Sequence, residues 1–370
     1  MRILIVGAGI AGLAFARALE LRGIVPDIVE RRAIWGAKGT GLFLPGNASR
    51  AFSQLGLLPD ITKVAVPIRH QRVLSHRGEE LHNINTERFW AACGPCLALS
   101  RADMHSLLRR GLERTSIEMS NSVRHIRQEP DGCEVTFGNG ETKRYELVVG
   151  ADGIRSRVRQ IAFPSASPAY TGNVCWRFVA ENVVGVDSWT AMIGRRQTLL
   201  AIPISPSKVY VYADHAVNLS TAWKYSGSIN LERLFSKFSG PLFPLVKKLP
   251  PQADLHFSHI ESVSIGDWRK KRVVLIGDAA HASSPSMAEG AGLACEDALL
   301  LAKVICENAN VDEALDIFVR QRERRVSWVH KQCAARDRMR TLPTFISGPL
   351  LKYFGASLYE RSYRPLLAQI

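Results

Sequence analysis

The chain has 370 residues, is 46% hydrophobic and carries a formal charge of +14. That length exceeds one small domain and the ordinary apolar content excludes a low-complexity or disordered chain. No apolar run approaches the roughly eighteen residues of a membrane span, and the basic residues are scattered or sit on helical stretches such as 320–325 with no nucleic-acid motif beside them, so neither a spanning protein nor a nucleic-acid binder is expected.

Taken in chain order, Ile3 to Val6 is an apolar run of a length suited to a buried parallel strand. Gly7, Gly9 and Gly12 follow with the G-x-G-x-x-G spacing. The first permits a tight turn, the second a close approach to a pyrophosphate, and the third tight helix–strand packing. A helix from about Ile10 to Arg22 points its N–H groups and positive dipole end at the phosphates, and Gly23 stops it. The strand Asp27–Glu30 ends in an acid eighteen residues after Gly12, placed to accept from a ribose hydroxyl. Arg2 and Ala14-Phe15-Ala16 mimic a secretory signal, but three glycines interrupt its apolar region and cleavage would remove the fingerprint.

Residues 71 to 97 form a short excursion before Leu97–Arg101 leads into a helix over 102–114. Within the excursion, Cys93-Gly-Pro-Cys96 has the spacing of a redox dithiol without the strand-then-helix context, so two reduced thiols in a loop are expected. Seven cysteines at irregular spacing argue against a secreted disulfide scaffold and for the cytoplasm. Strands follow over 133–150, with a turn at Gly138-Asn-Gly140, and lead into Gly150-Ala-Asp-Gly-Ile-Arg-Ser-Arg-Val-Arg159. Taken alone, Asp152 with Ser156 reads as a helix cap.

From about 165 to 262 the segments 174–179, 198–204 and 208–213 are β-rich and predict a second sheet walling a ligand cavity. Tyr210 and Tyr212 share a face of that sheet and are the candidate substrate contacts. The segment 272–276 returns to a parallel-type strand and carries Gly277-Asp-Ala-Ala-His281, Pro285 and Ala288-Glu-Gly-Ala-Gly292. His281, just after a strand, reads as a structural hydrogen-bonding group. A helix is predicted over 290–307, then a mostly helical remainder broken at Pro343, Pro349 and Pro365. The pattern Phe345-Ile346, Leu350-Leu351, Tyr353-Phe354 is amphipathic; core packing is expected, with cavity closure, a dimer contact or a membrane contact as alternatives. No zinc-ligand spacing, serine nucleophile elbow or second G-x-G-x-x-G is present, so no metal is expected.

Together these three motifs, over residues 1 to about 330, resemble the single-component FAD-dependent aromatic hydroxylases typified by p-hydroxybenzoate hydroxylase. The resemblance implies an α/β fold: a Rossmann-like FAD-binding domain, an inserted β-sheet substrate domain and a helical C-terminus. The matching division is 1–70, 98–164 and 262–340 for the FAD domain, 71–97 and 165–261 for the substrate domain, and 341–370 for the C-terminal segment. It places Gly7, Gly9, Ala11 and Gly12 at the ADP half of a non-covalent FAD, with Glu30 and Arg31 at the adenosine ribose. Arg101 lies beside the ribityl–pyrophosphate region, and the motif of Asp152 serves FAD and NAD(P)H use. Asp278 touches the ribityl chain, Pro285 lies beside the flavin ring, and Gly290, Ala291 and Gly292 open a helix facing its pyrimidine end. Many relatives carry Gly-Gln-Gly where this chain has Ala288-Glu-Gly290, which keeps the glycine and changes the polarity next to the flavin.

The implied reaction uses NADH or NADPH and O2. A flavin C4a-hydroperoxide passes oxygen to a small aromatic or heteroaromatic substrate, and no side chain need act as nucleophile. Gly39 and Gly41, with Gly290 and Gly292, leave room for a flavin movement through which substrate accelerates reduction. The rival readings are a flavin reductase or dehydrogenase of alkenes or polyenes, and a flavin redox sensor without turnover. A monomer or homodimer is expected, without a nucleic-acid or membrane partner.

Overall fold

The computed structural model describes all residues except 37–39, 227, 228, 248, 250–254 and 370. Gly39 therefore lies outside the described residues. The strand Ile3–Val6 is buried along its whole length, as the uninterrupted apolar run requires of a strand covered on both faces. It lies inside a six-stranded sheet ordered Arg269–Lys270, Val273–Leu275, Leu147–Gly150, Ile3–Val6, Asp27–Glu30 and Ile117–Met119. All neighbours pair in parallel except the Arg269–Lys270 edge. Each motif glycine cluster thus follows the carboxyl end of a strand of one sheet, where open α/β sheets bind their ligands.

Helix α1 (Ile10–Glu20) leaves the first strand. Helix α2 (Gly46–Gln54) and the long helix α3 (Gly290–Glu307) pack with α1 around the same core. Helix α4 (Val311–Thr341) runs along α3, and α5 (Thr344–Tyr363) closes the chain against the strand Glu80–Asn85.

The second sheet has seven strands, ordered His256–Ser262, Ala169–Glu181, Lys208–Ala216, Gln197–Pro203, Trp189–Gly194, His70–Ser75 and Glu80–Asn85. The two excursion strands join it through the parallel pairing of Gln71 with Trp189. Its faces follow the two-residue alternation of strands. Trp176 and Phe178 pack with Phe235 and Phe238 in a separate apolar core, whereas Cys175 and Arg177 turn to the cavity on the other side.

Two local expectations are corrected, and one strand was not foreseen. The helix over 102–114 instead spans Arg101–Arg110. The backbone N–H groups of Glu113, Arg114 and Thr115 leave the helical pattern and donate to the buried Glu20 carboxylate, at 3.0, 3.0 and 2.6 Å. Burial raises the Glu20 pKa, but these bonds win and hold it below the usual value. A strand at Val123–Glu129 was not foreseen; its exposed, charged residues hide the apolar signal. Pro349 does not break a helix. It sits inside α5, where the carbonyl it fails to bond belongs to Phe345, a residue 77% exposed and open to water.

Candidate cofactor and substrate site

The turn after the first strand is built by its glycines. Gly7 has φ +104°, and a side chain there would meet the Ala151 carbonyl at 2.6 Å. A Cβ on Gly9 would meet no protein atom, because Gly9 borders open cleft. The α1 N-terminus that follows has no side-chain cap, so its first N–H groups remain for a ligand. Glu30 accepts from the Ala8 and Arg32 N–H groups, both at 3.0 Å, which fixes the carboxylate at the cleft edge.

A small cleft of about 240 Å³ runs from Gly7 and Gly9 past Glu30. It shares Arg31, Trp35, Arg101 and Asp152 with a larger cavity of about 1530 Å³. Pockets for drug-sized ligands run to roughly 300–1,000 Å³, so the larger space has room for one half of an extended cofactor and a second small molecule together. Trp35 rests against His105, with ring centroids 5.0 Å apart, and under the Arg109 guanidinium at 4.5 Å. The Arg101 side chain reaches both spaces and makes no hydrogen bond to a described residue. The Asp152 carboxyl is occupied within its own turn. It accepts from Ser156 Oγ at 2.5 Å and from the Arg157 and Val158 N–H groups at 2.6 and 3.2 Å. Its side chain therefore caps the helix Arg157–Ala162 and holds the loop that borders the cleft.

At the other end, Asp278, Pro285, Gly290 and Ala291 line the large cavity. Asp278 is exposed and lines it, with no hydrogen-bond partner among the described residues, so its carboxylate is left for a ligand. Gly292 is buried against Ala48 and completes the opening of α3, whose N-terminus also lacks a side-chain cap. The donor set fits FAD: an acid at the end of the second strand, uncapped helix N-termini at each end, the Arg101 guanidinium between and the Asp278 carboxylate near the second.

The loop carrying Asp278 is anchored by residues that the sequence reading did not single out. Asp297 is fully buried and accepts from Gly277 N at 2.8 Å, His281 Nε2 at 2.6 Å and Arg322 Nε at 2.7 Å. Burial pushes its carboxyl upward, but His281 and Arg322 hold it below the usual carboxylate range. Glu296 beside it binds Arg322 and Arg325 at 3.0 and 2.7 Å. Gly277 has φ +57°, so this cluster clamps the one residue of the loop whose backbone favours glycine. His281 is buried in the clamp with its ring tilted against Trp268, centroids 4.9 Å apart, as its structural reading anticipated.

Glu289 sits just before α3 and is 2% exposed. One oxygen accepts from Asn47 Nδ2 at 2.9 Å and the other has no partner. Burial pushes its carboxyl up to about 8.

Tyr210 and Tyr212 both line the cavity, on the shared face foreseen for them. The Tyr212 hydroxyl donates to Asp214 at 3.0 Å, and Asp214 pairs with Arg340 of α4 at 2.5 Å. Arg340 also meets Asp337, whose carboxylate accepts from Ser284 and Ser286 on either side of Pro285. Burial pushes Asp214 up, against the pull of Arg340. Away from this polar cluster the wall turns apolar: Leu200, Ile202, Ala191, Val73 and Ile84 face Leu351 of α5. Cys93 and Cys96 are free thiols; burial pushes Cys96 up to about 12, far from a reactive thiolate.

A family described as an FAD binding domain matches residues 1–202 and 251–332. The 2-heptyl-3-hydroxy-4(1H)-quinolone synthase of Pseudomonas aeruginosa is 35% identical over 336 residues, covering 90% of this chain and 87% of its own. The aurachin C monooxygenase/isomerase of Stigmatella aurantiaca is 30% identical over 322 residues, covering 85% and 83%. Among solved structures, Klebsiella pneumoniae HpxO with FAD and uric acid superposes with TM-score 0.83 at 24% identity, over 100% of this chain and 93% of that one. P. aeruginosa PqsL with 2-aminobenzoylacetate superposes with TM-score 0.82 at 19% identity, covering 95% and 99%. These two likenesses establish the fold.

Proposed function

The chain belongs to the FAD-dependent aromatic hydroxylases of the p-hydroxybenzoate hydroxylase type, and from that premise we propose that it hydroxylates C3 of a 4-quinolone bearing an apolar chain at C2. It is an NAD(P)H-dependent flavoprotein monooxygenase acting on an aromatic or heteroaromatic ring. The observation that carries the finer reading is the division of the cavity. Tyr212, Asp214 and Arg340 form a polar end next to Pro285, and an apolar gallery leads from it to α5. A quinolone head offers a carbonyl and an N–H to the first, and its chain fills the second. The 35% identity to a protein named for a 2-heptyl quinolone product supports the same substrate class.

Bound FAD, reduced by NAD(P)H, supplies the activated oxygen. The chain's own residues position and shield. Gly7, Gly9 and Ala11 would present backbone to the pyrophosphate, with Gly12 letting α1 pack tightly behind them; Glu30 would take the adenosine ribose with Arg31 beside it, Arg101 would neutralise a phosphate, and Asp278 would accept from the ribityl chain. The N–H groups at Gly290, Ala291 and Gly292, at an uncapped helix start, would hold the flavin's carbonyl edge and would favour negative charge there. Pro285, on the same cavity wall, would pack beside the ring. The Tyr212 oxygen, its own proton held by Asp214, accepts from the quinolone N–H, while Asp214 and Arg340 fix its orientation. The apolar gallery and α5 keep water from the reacting atoms. The same proposal takes residues 71–97 and 165–261 as the substrate domain, supported by the shared sheet of His70–Ser75, Glu80–Asn85 and the strands after Ala169.

The test is NADH and NADPH oxidation by the FAD-loaded protein with 2-alkyl-4-quinolones of graded chain length, beside uric acid and hydroxypyridine carboxylates. Quinolones should stimulate matched O2 uptake and yield a product heavier by one oxygen. NAD(P)H use without oxygen insertion, or preference for the chainless acids, would refute the reading.

A further inference from the structure

Helix α5 has two functional faces. Ser347, Leu351 and Gly355 line the substrate cavity from within. On the outside, Phe345 is 77% exposed, Tyr353 74%, Phe354 58% and Ile346 46%. At helical spacing Phe345, Ile346, Pro349 and Tyr353 make one apolar stripe, with Lys352 on one flank and Arg361 on the other. Core packing, the sequence expectation, holds only for the inner face. Three large apolar side chains, Phe345, Ile346 and Tyr353, held in water on one side of the helix mark a contact surface.

A second observation adjoins the first. A pocket of about 970 Å³ begins at Thr344, the first residue of α5, and is lined by Arg195, Arg196, Arg233 and Lys237. No acidic residue lines it, and none of these four cations forms an ion pair with a described residue. The pocket is tied to the start of α5 through the backbone: Arg196 N donates to the Arg340 carbonyl at 2.8 Å, just before the turn into the helix. An apolar stripe and a basic pocket therefore lie side by side.

We propose that this surface docks on an anionic phospholipid bilayer. The aromatic stripe of α5 lies among the acyl chains at the interface, and headgroup phosphates enter the pocket of Arg195, Arg196, Arg233 and Lys237. Charge complementarity selects this occupant. A second copy related by a twofold axis would bring basic surface against basic surface on a chain of net charge +14. A lipid surface supplies apolar chains and negative charge together. None of the helices among the described residues is long and apolar enough to cross a membrane, so the contact is interfacial. The arrangement also sets a path. Leu351 and Leu358 line the cavity from this helix, so the helix that meets the lipid is also a wall of the gallery. The delivery of a chain-bearing substrate along that path rests on the function proposed above; the docking does not.

The experiment is co-sedimentation of the FAD-loaded protein with phosphatidylglycerol–phosphatidylcholine vesicles and with phosphatidylcholine alone. Binding should favour the anionic vesicles at least fivefold and fall in high salt. Phe345→Ser with Tyr353→Ser, and separately Arg195→Glu with Arg233→Glu, should each lower bound protein about fivefold or more while FAD content and melting temperature hold. No binding to anionic vesicles, or binding untouched by both pairs, would overturn the proposal. So would a dimer that the serine pair converts to monomer, since a second copy would then cover the stripe. Vesicle binding lost in both pairs, with no quinolone turned over, would support the docking and sink only the substrate reading.

Discussion

Replacing Glu289 by glutamine should stabilise this protein, and the gain should grow with pH. The carboxyl is buried, has one unpartnered oxygen and titrates near 8 in the folded state against 4.5 when free. Its folded pKa is raised, so the stability it confers is full below about pH 4.5 and is lost as pH climbs toward 8. Over that window the unfolded chain releases the proton while the folded one keeps it, at about 1.4 kcal/mol per pH unit. At about pH 7.5 the three intervening units amount to about 4 kcal/mol. Glutamine is neutral throughout and escapes this loss. Urea unfolding of both proteins, FAD-loaded, from about pH 5 to 9 should show curves that converge at the acidic end and part until about pH 8, where the difference levels off. A difference constant across pH, or a glutamine variant less stable at about pH 7.5, would show that Glu289 is ionised in the folded protein and that the argument from its burial fails.

Glu30→Ala should raise the FAD Kd about tenfold to a hundredfold, matching about 1–3 kcal/mol for a lost charged acceptor; fluorescence titration reads it, and unchanged affinity would displace Glu30 from the ribose. Asp278→Ala should lose FAD while keeping its melting temperature as apoprotein, whereas His281→Ala should lower stability by about 3 kcal/mol or more by breaking the buried Asp297 clamp. Tyr212→Phe should slow hydroxylation at saturating substrate and raise peroxide release, with FAD affinity unchanged; equal coupling efficiency would remove the phenol from the reaction. Ala191→Phe should shift the preference toward shorter chains, seen as KM across the quinolone series, and a uniform effect would place the chain elsewhere.

The sequence made legible what depends on local rules. The turn at Gly7, the acid at Glu30 and the α3 start at Gly290 are each set by residues within a few positions, and each lies where the spacing put it. The sharing of one face by Tyr210 and Tyr212 follows from strand alternation alone. What stayed hidden is pairing across distance. Glu296 and Asp297 read as ordinary helix body until Arg322 arrives 26 and 25 residues later. Arg340 reaches Asp214 across 126 positions, and neither residue has a neighbour that announces the other. The outer stripe of α5 was legible as a pattern, but its exposure depended on which side the cavity occupied.

The central sheet is assembled from strands at 3–6, 147–150 and 273–275, side by side in space. During synthesis the first strand therefore waits for almost three-quarters of the chain before its last parallel neighbours exist. The helix α3 that completes the cleft emerges later still. A growing chain can hold no finished cofactor site, and its earliest apolar segment stays exposed longest, in the kind of non-local topology that folds slowly and invites aggregation. Flavin supply should accordingly govern yield after release from the ribosome, as a late ligand that captures the closed sheet by mass action.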